Sequence, residues 1–342
     1  MFSQLATDKF GRFTFEIRNV DLAIVNGLRR TIMTSVPIVA FDADNVAIKT
    51  NTGPLHNEII SHRIAMIPLH LAAEEPAGQV YTLHVKNAGD KMLNVTTHDF
   101  RSADLTADVI KRIFPVHPVS KSPILITRLR TGEELELSAT TVTGVGATDA
   151  GFCATSLCTF SNMIDTALVE SLTKVKPLSP LDRERAFMKN EYGDPINYRF
   201  ELESECGLTP QTIFQKALDI LIAKMDELAT AARQDDSSIK VTQDHGRWLF
   251  AIDGEDDTVG NLLQSTMHNY YLREKRENNV KVVSYFAPHP LQKSVTLSIH
   301  LNSDAAATSG AEAIDVFVAS CGRVKETLVG MRDGWNAIAG IV

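Results

Sequence analysis

Glu58, His62 and Arg63 are the polar residues whose spacing best fits chemistry. They fall on one predicted helix, where a glutamate and a histidine one turn apart can share a metal ion or relay a proton. The neighbouring sequence supplies no third ligand. We therefore do not expect this pair to be catalytic. An independent α/β enzyme that uses Glu58 and His62 stays as an alternative function.

Cysteines and glycines give no stronger site. Cys153 and Cys158 are five positions apart, the other two of the four cysteines are distant, and no CxxC pair occurs. This pattern predicts free thiols in a reducing compartment, with no metal and no cofactor. Gly144 and Gly146 lack the third glycine, the lysine and the following helix of a phosphate-binding loop, so we expect a plain loop there.

The composition argues against several classes of protein. The 342 residues suggest about two domains, and a hydrophobic content of 44% is ordinary for a globular chain. The sequence has no run of about 18 apolar residues and no apolar leader, which argues against a membrane span and against secretion. Because the net charge is −8, a stand-alone DNA-binding regulator is a disfavoured alternative.

The helix with the glutamate and histidine closes a strand–helix–strand–helix pattern. Phe13, Phe15 and Ile17 alternate with polar residues, as in a half-buried strand. Asp21 is placed to cap the next helix, and Pro37 marks the end of that helix. The pattern predicts a compact unit at the start of the chain.

The first of these helices has an unusual centre, Asn26-Gly27-Leu28-Arg29-Arg30. Glycine in mid-helix costs roughly 1 kcal/mol relative to alanine, and close packing against another backbone would explain it. Arg29 and Arg30 are adjacent in a helix, so they cannot both face the core. They are therefore either binding residues or a pair that is solvated or bridged within the chain.

Three ordered motifs over about 60 residues resemble the alpha-type assembly subunits of multisubunit RNA polymerases. They are an Asn-x-Leu-Arg-Arg core at 26–30, a Pro-x-x-Ala-x-Asp segment at 37–42, and a helix with Glu, His and Arg that runs into Ile-Pro-Leu at 67–69. The resemblance implies a non-catalytic scaffold that docks the two large catalytic subunits of a DNA-dependent RNA polymerase.

The part that follows predicts an inserted domain, mostly of strands. Strand patterns recur between residues 81 and 139, and the segment Pro123–Leu135 is similar to the insert domain of the alpha-type family. A strand then begins at Tyr198, and Thr209-Pro210 starts a long helix. We therefore expect an insert at 53–197 that splits a dimerisation domain made of 1–52 and 198–232.

A second unit repeats this outline after a polar linker at 233–238. Trp248–Ile252 is a predicted strand, and Asp256 or Asp257 can cap the following helix. Val25, Leu28 and Met33 would match Val259, Leu262 and Met267 at a constant offset of 234. The motifs at 255–263 and 288–291 resemble the small partner of the alpha-type pair, so 239–342 is expected to be the second dimerisation unit.

The predicted fold class is α+β, with two related units, each a small antiparallel sheet and two helices. One unit alone would expose apolar helix surface, so the two should pack helix on helix as an intramolecular pseudo-heterodimer rather than as a homo-oligomer. The residues predicted at this interface lie on the apolar faces of the helices: Val25, Leu28, Ile32, Leu218, Leu221, Val259, Leu262, Met267, Phe317, Cys321 and Leu328.

The resemblance also implies an interface with partner subunits. The predicted set is Asn26, Arg29, Arg30, Met33, Glu58, His62 and Arg63. The expected partners are the two largest polymerase subunits and small accessory subunits, with DNA contacted only through the complex and no membrane. A fusion of both alpha-type partners is known from some large nucleocytoplasmic DNA viruses, which implies the virion and the host cytoplasm, or the nucleus, as the place of action.

Overall fold

The structure is a computed structural model that describes residues 1–71, 77–117, 119–234, 236–275, 279–289, 291–302 and 310–339. Its strands are β1 (Phe2–Thr7), β2 (Phe13–Arg18), β3 (Ile38–Asn51), β4 (Val80–Lys86), β5 (Leu93–Thr96), β6 (Leu125–Leu129), β7 (Glu134–Gly144), β8 (Thr155–Asn162), β9 (Asn197–Ser204), β10 (Ile239–Asp244), β11 (Arg247–Asp253), β12 (Val280–Phe286) and β13 (Ser294–Leu301). Its α-helices are α1 (Leu22–Thr34), α2 (Asn57–Ala65), α3 (Ala107–Ile113), α4 (Thr166–Thr173), α5 (Pro180–Glu184), α6 (Pro210–Gln234), α7 (Asp257–Met267) and α8 (Gly310–Ala339).

Two antiparallel sheets have the same strand order. The first is β1-β2-β9-β8 and is packed with α1 and α6; the second is β10-β11-β13-β12 and is packed with α7 and α8. We call these the first and second units. In each, a hairpin leads into a helix, two further strands follow, and a long helix ends the unit. The mixed α and β class and the two related units are confirmed.

The register of the repeat differs by one position from the sequence prediction. The N-caps are Asp21 and Asp256, 235 positions apart. The same shift aligns the buried core residues of the two units, Phe15 with Phe250, Ile17 with Ile252, Leu28 with Leu263 and Ile32 with Met267. The offset of 234 was therefore wrong. It paired Met33, which is 38% exposed, with the fully buried Met267, because both helices carry apolar residues at neighbouring positions.

The helices of both units share one hydrophobic core between the two sheets. α6 packs along α8, and α1 packs against α7. The largest side chain in this core is Trp335 of α8, which is fully buried in an aromatic slot of the first unit. Its ring centroid lies 4.5 Å from Phe214, 4.8 Å from Phe15 and 5.1 Å from Phe2. The C-terminal part of α8 is thus built into the first unit.

The insert has a separate core around Phe41, Tyr81, Phe100 and Phe114. Its sheet has the order β3-β7-β4, beside the pair β5-β6. The predicted boundaries 53 and 197 do not fit this pairing. β3 already pairs with β7, and β8 has already returned to the first sheet. The prediction placed β3 in the dimerisation domain, although β3 belongs to the sheet of the insert. The start of β3 does pack in the core of the first unit, since Ile38 is part of that core.

Some predictions fall partly outside the described residues. The predicted insert at 53–197 includes positions 72–76 and 118, the linker at 233–238 includes position 235, and the motif at 288–291 includes position 290. Strands β1 and β10 were not predicted, since both are half-polar edge strands with little alternation. None of the described helices is both long and apolar enough to cross a membrane.

Gly27 of α1 and Gly260 of α7 should respond in opposite ways to substitution by alanine. A Cβ at Gly27 would meet Thr258 and Leu262 at 3.8 and 3.9 Å, which is ordinary contact, so no backbone approach requires this glycine. Gly27→Ala should raise the unfolding free energy by up to about 1 kcal/mol through helix propensity. A Cβ at Gly260 would lie 2.6 Å from the Tyr285 ring, so Gly260→Ala should lower the free energy of unfolding by roughly 1–3 kcal/mol.

Urea unfolding of both variants beside the wild type tests this pair. A loss of stability in Gly27→Ala would show that α1 and α7 approach more closely than these distances. Equal, small effects in both variants would show that neither glycine is chosen for space.

Candidate functional site

One face of α1 is open to solvent although the rest of the helix is buried. Asp21 starts the helix by accepting a hydrogen bond from the Ala23 N–H at 2.6 Å. The residues on the open face are three or four positions apart along the helix: Leu22, Asn26, Arg29 and Met33. We call these four residues the α1 stripe.

Arg29 ties the α1 stripe together. Its Nε donates to Asn26 Oδ1 at 3.1 Å, and its Nη1 lies 3.3 Å from Met33 Sδ. Leu22 is 42% exposed and Met33 is 38% exposed. The stripe therefore combines apolar surface with a guanidinium whose hydrogen-bonding capacity is only partly used. Three of the residues predicted to meet a partner lie together on it.

A second outward face belongs to α2 in the insert. Ile60 and Ile64 are buried under the helix, whereas Ile59, His62 and Met66 point outward three and four positions apart. We call Ile59, His62 and Met66 the α2 stripe. Its apolar members are each 47% exposed. Ile59, Met66 and Leu22 were not predicted, because spacing alone does not distinguish exposed apolar residues from core residues.

Arg63 faces another way. Its Nε donates to the carbonyl of Ile126 at 2.9 Å and its Nη2 to that of Leu125 at 2.7 Å. These bonds hold α2 against β6. Glu58 is exposed in the first turn of α2.

The loop 144–153 joins the C-terminal ends of α1 and α2. The Ala147 N–H donates to the Thr34 carbonyl at 2.9 Å, and a Cβ at Gly146 would lie 2.1 Å from the Met33 oxygen. A Cβ at Gly151 would lie 2.8 Å from the Ala65 oxygen. The loop thus touches the end of each stripe-bearing helix, and its glycines are needed for close approach rather than for phosphate binding.

Arg30 makes a contact that the partner-interface prediction did not foresee. Its Nη2 lies 2.8 Å from Asp256 Oδ2 and its Nε donates to Thr258 Oγ1 at 2.7 Å, so it binds the start of α7 in the second unit. Burial raises the pKa of Asp256, but hydrogen bonds from Thr258 and the ion pair with Arg30 hold it below its usual value. Of the two interpretations of the arginines, the bridge within the chain applies to Arg30.

The start of α1 is held in the reciprocal way. Asp21 accepts hydrogen bonds from Ser265 Oγ at 3.2 Å and from Asn269 Nδ2 at 2.5 Å, both in the second unit. Arg273 extends this contact by pairing with Asp194 of the first unit. In the corrected register Ser265 corresponds to Arg30, so each helix places the same position against the N-cap of the other.

Further ion pairs join the units along the long helices. Lys325 of α8 lies 2.8 Å from Asp226 of α6, and Arg332 lies 3.3 Å from Asp219. Lys224 of α6 lies 2.8 Å from Glu255, whose pKa burial raises against the pull of that lysine. These ion pairs were not predictable from the sequence, because they depend on which helices pack together.

The predicted interface residues of the apolar faces are all buried in the shared core. These are Val25, Leu28, Ile32, Leu218, Leu221, Val259, Leu262, Met267, Phe317, Cys321 and Leu328. Burial raises the pKa of Cys321 to about 12, so this thiol is inert and acts as a small apolar side chain.

Among the described residues, neither Glu58 nor His62 belongs to a group of possible metal ligands. The group that the described part of the chain does contain is His84, Glu134 and Glu136, on the surface of the insert. Its carboxylates already pair with lysines, because Lys86 lies 3.1 Å from Glu134 and Lys49 lies 2.7 Å from Glu136. We assign no metal site there.

The fold and these surfaces define an assembly module that acts through protein contacts. Comparison with known families agrees. Residues 14–225 match the RNA polymerase Rpb3/Rpb11 dimerisation domain, and residues 248–333 match a second model of the same domain. The chain belongs to this family, with two such domains in one chain. Its role is that of a non-catalytic RNA polymerase subunit rather than of an independent enzyme or a regulator.

Curated relatives are similar to most of the chain. The subunit 3 of RNA polymerases II, IV and V of Arabidopsis thaliana is 27% identical over 68% of this chain and 90% of that protein. The archaeal polymerase subunit Rpo3 of Methanosphaera stadtmanae is 23% identical over 80% of this chain and 95% of that protein. Subunit RPAC1 of polymerases I and III of Saccharomyces cerevisiae is 24% identical over 63% of this chain and 82% of that protein.

Acid should weaken the contact between Arg30 and Asp256. Because the folded pKa of Asp256 is lowered, its stabilising effect is complete above the unfolded pKa near about 4 and is lost as pH falls through the folded value. Asp256→Asn keeps a capping side chain without the charge. The difference in melting temperature between wild type and variant should therefore be largest near about pH 6 and shrink towards about pH 3. A difference that does not change with pH would contradict this role.

Proposed function

We propose that this chain nucleates assembly of a DNA-dependent RNA polymerase by acting as an intramolecular heterodimer of its two units. The observation that carries the proposal is the shared core, in which helices of both units are buried against each other between the two sheets. Each unit alone would expose the apolar faces of two helices to water, which a soluble domain does not tolerate. Fusion makes this pairing unimolecular, with an effective concentration of about mM for a short linker.

The α1 and α2 stripes are the proposed docking surface for a large catalytic subunit. Methionine adapts its shape to a partner, and arginine pairs bidentately with carboxylates or carbonyls. Asn26, Arg29 and Met33 of the predicted set lie on the first stripe, and His62 on the second, with Glu58 beside it. Arg30 and Arg63 support this surface from within, since both bind groups of the chain itself.

The equivalent face of α7 carries different chemistry, which supports a second, different large subunit there. In the corrected register the α1 stripe aligns with four polar residues of the second unit. Leu22, Asn26, Arg29 and Met33 correspond to Asp257, Asn261, Gln264 and His268. These four residues are at least partly exposed. Two pseudo-equivalent faces with different side chains favour two unlike partners over two copies of one partner.

The insert and the setting complete the proposal. The insert would meet small accessory subunits, because its hydrophobic core is separate from the core in which the two units pack together. The fusion of both units suggests the polymerase of a large nucleocytoplasmic DNA virus, acting in virion and host cytoplasm. Mass spectrometry of purified particles tests this setting; detection only in a cellular nuclear polymerase would contradict it.

Loss of the α1 stripe should separate the chain from its polymerase. Arg29→Ala with Met33→Ala, in the tagged full chain in its native source, should reduce co-purification of one large subunit at least tenfold, because that partner loses its apolar anchor and charged hydrogen bonds. The melting temperature of the isolated chain should stay within about 2 °C of wild type, since both side chains are at the surface.

Two controls sharpen this test. Arg30→Ala should lower the melting temperature, because it removes a contact between the units, and should affect co-purification less than the stripe variant does. Gln264→Ala with His268→Ala should reduce recovery of the other large subunit. Undiminished recovery of both large subunits with the stripe variant would overturn the docking assignment.

A further inference from the structure

The two long helices occupy equivalent positions, so their side chains can be compared one by one. Phe214 of α6 contacts Phe15 of the first sheet with ring centroids 5.0 Å apart, and Phe317 of α8 contacts Phe250 of the second at 4.8 Å. Phe15 and Phe250 are themselves equivalent. The same register aligns the other buried positions, Leu218 with Cys321, Leu221 with Val324, Met225 with Leu328, Leu228 with Met331 and Ala232 with Trp335.

The last of these pairs is the most unequal in size. Trp335 is fully buried in the aromatic slot of the first unit, and its Nε1 donates to the Gln211 carbonyl at 3.2 Å. The first unit offers Ala232 at the equivalent position, 4% exposed. Only the second unit therefore carries a side chain that fills this slot.

A second unequal pair lies where α1 meets α7. Gly27 and Leu262 are equivalent in the corrected register, and they face each other, with 3.9 Å between the position of a Cβ on Gly27 and Leu262 Cδ1. Contact between equivalent positions places them beside the pseudo-two-fold axis. Again the first unit contributes the small residue and the second unit the large one.

Charge follows the same division. The ion pairs between the long helices place acids on α6, Asp219 and Asp226, and bases on α8, Arg332 and Lys325. The pseudo-two-fold axis relates the pair Asp219 and Arg332 to Gly322 and Ala229. It relates the pair Asp226 and Lys325 to Val329 and Ile222. The reciprocal positions are uncharged, so each ion pair exists once rather than twice.

We infer that these inequalities make pairing of the units selective for unlike partners, so that two copies of the chain do not associate like with like. This inference rests on the proposed pairing of the units. If two first units paired, Gly27 would face glycine, the aromatic slot would receive alanine, and Asp219 and Asp226 would lose their partners. If two second units paired, Leu262 would meet leucine and Trp335 would have no matching slot. Voids and overpacking are both unfavourable in a close-packed core.

Reversing the charges tests the selection directly. Asp219→Lys with Asp226→Lys turns both ion pairs into repulsions in the unlike pairing but leaves uncharged neighbours in the like pairing. We expect the melting temperature to fall by about 2–4 °C or more. Two differently tagged copies of this variant, co-expressed as full chains, should co-purify, and light scattering should show two-chain species. Lys325→Asp with Arg332→Asp added should restore both the melting temperature and the single-chain mass.

A matched control has the same change in net charge. Glu227→Lys with Glu326→Lys alters exposed acids of α6 and α8 that make no ion pair between the long helices. This control should stay a single chain with a melting temperature near that of wild type. Co-purification of the control copies would mean that net charge alone drives association and would overturn the inference.

The unequal pair Gly27 and Leu262 is tested by the same measurement of melting temperature. Gly27→Leu and Leu262→Gly should each lower the melting temperature, and the double variant should recover part of the loss, because leucine and glycine again face each other. Additive losses would show that the two positions do not act as a pair.

Other results would also overturn the inference. A two-chain mass for the wild type would do so, and so would a charge-reversed variant that loses stability but stays a single chain. Failure of the proposed function would look different, since the isolated chain would behave as expected while no large polymerase subunits co-purified with it.

Discussion

The apolar faces of four helices are the constraint on which this structure depends. α1 and α6 cover one side of the first sheet, α7 and α8 cover one side of the second, and every one of these helices has apolar side chains on more than the sheet-facing side. If either unit stood alone, the apolar helix surface that faces away from its sheet would be exposed to water. Packing the helices of one unit on those of the other removes it from water, and the polar contacts of Arg30 and Asp21 then fix how the helices are oriented.

The outward surfaces follow from the same packing. Once the inner faces of α1 and α7 are committed to the shared core, only a narrow line of each helix remains for other proteins. On α1 this line carries leucine, arginine and methionine, and on α7 it is polar. A pseudo-symmetric core thus carries an asymmetric exterior, as the proposed docking of two unlike partners requires.

Sequence patterns predicted the elements of this fold better than their partners in space. The alternation from Phe13 to Ile17, the cap at Asp21 and the helix start at Thr209 are local signals, and the structure confirms each of them. The family resemblance placed Arg30 at a partner interface. Its contact within the chain was not foreseen, because the N-cap of α7 is 226 positions away in the sequence. The predicted register of the repeat was wrong for a related reason. Helical spacing defines a face, but only burial shows which of two neighbouring positions lies at its centre.

Trp335 sets an order of events during synthesis. The slot that it fills is complete once Phe214 has been made, and the tryptophan follows about 120 residues later. At roughly 5–20 residues per second this interval lasts about 6–24 s. Until then the aromatic slot lacks the side chain that fills it, and that side chain arrives on the same chain. Equal amounts of the two units are then guaranteed by translation itself, without any regulation of two separate messages.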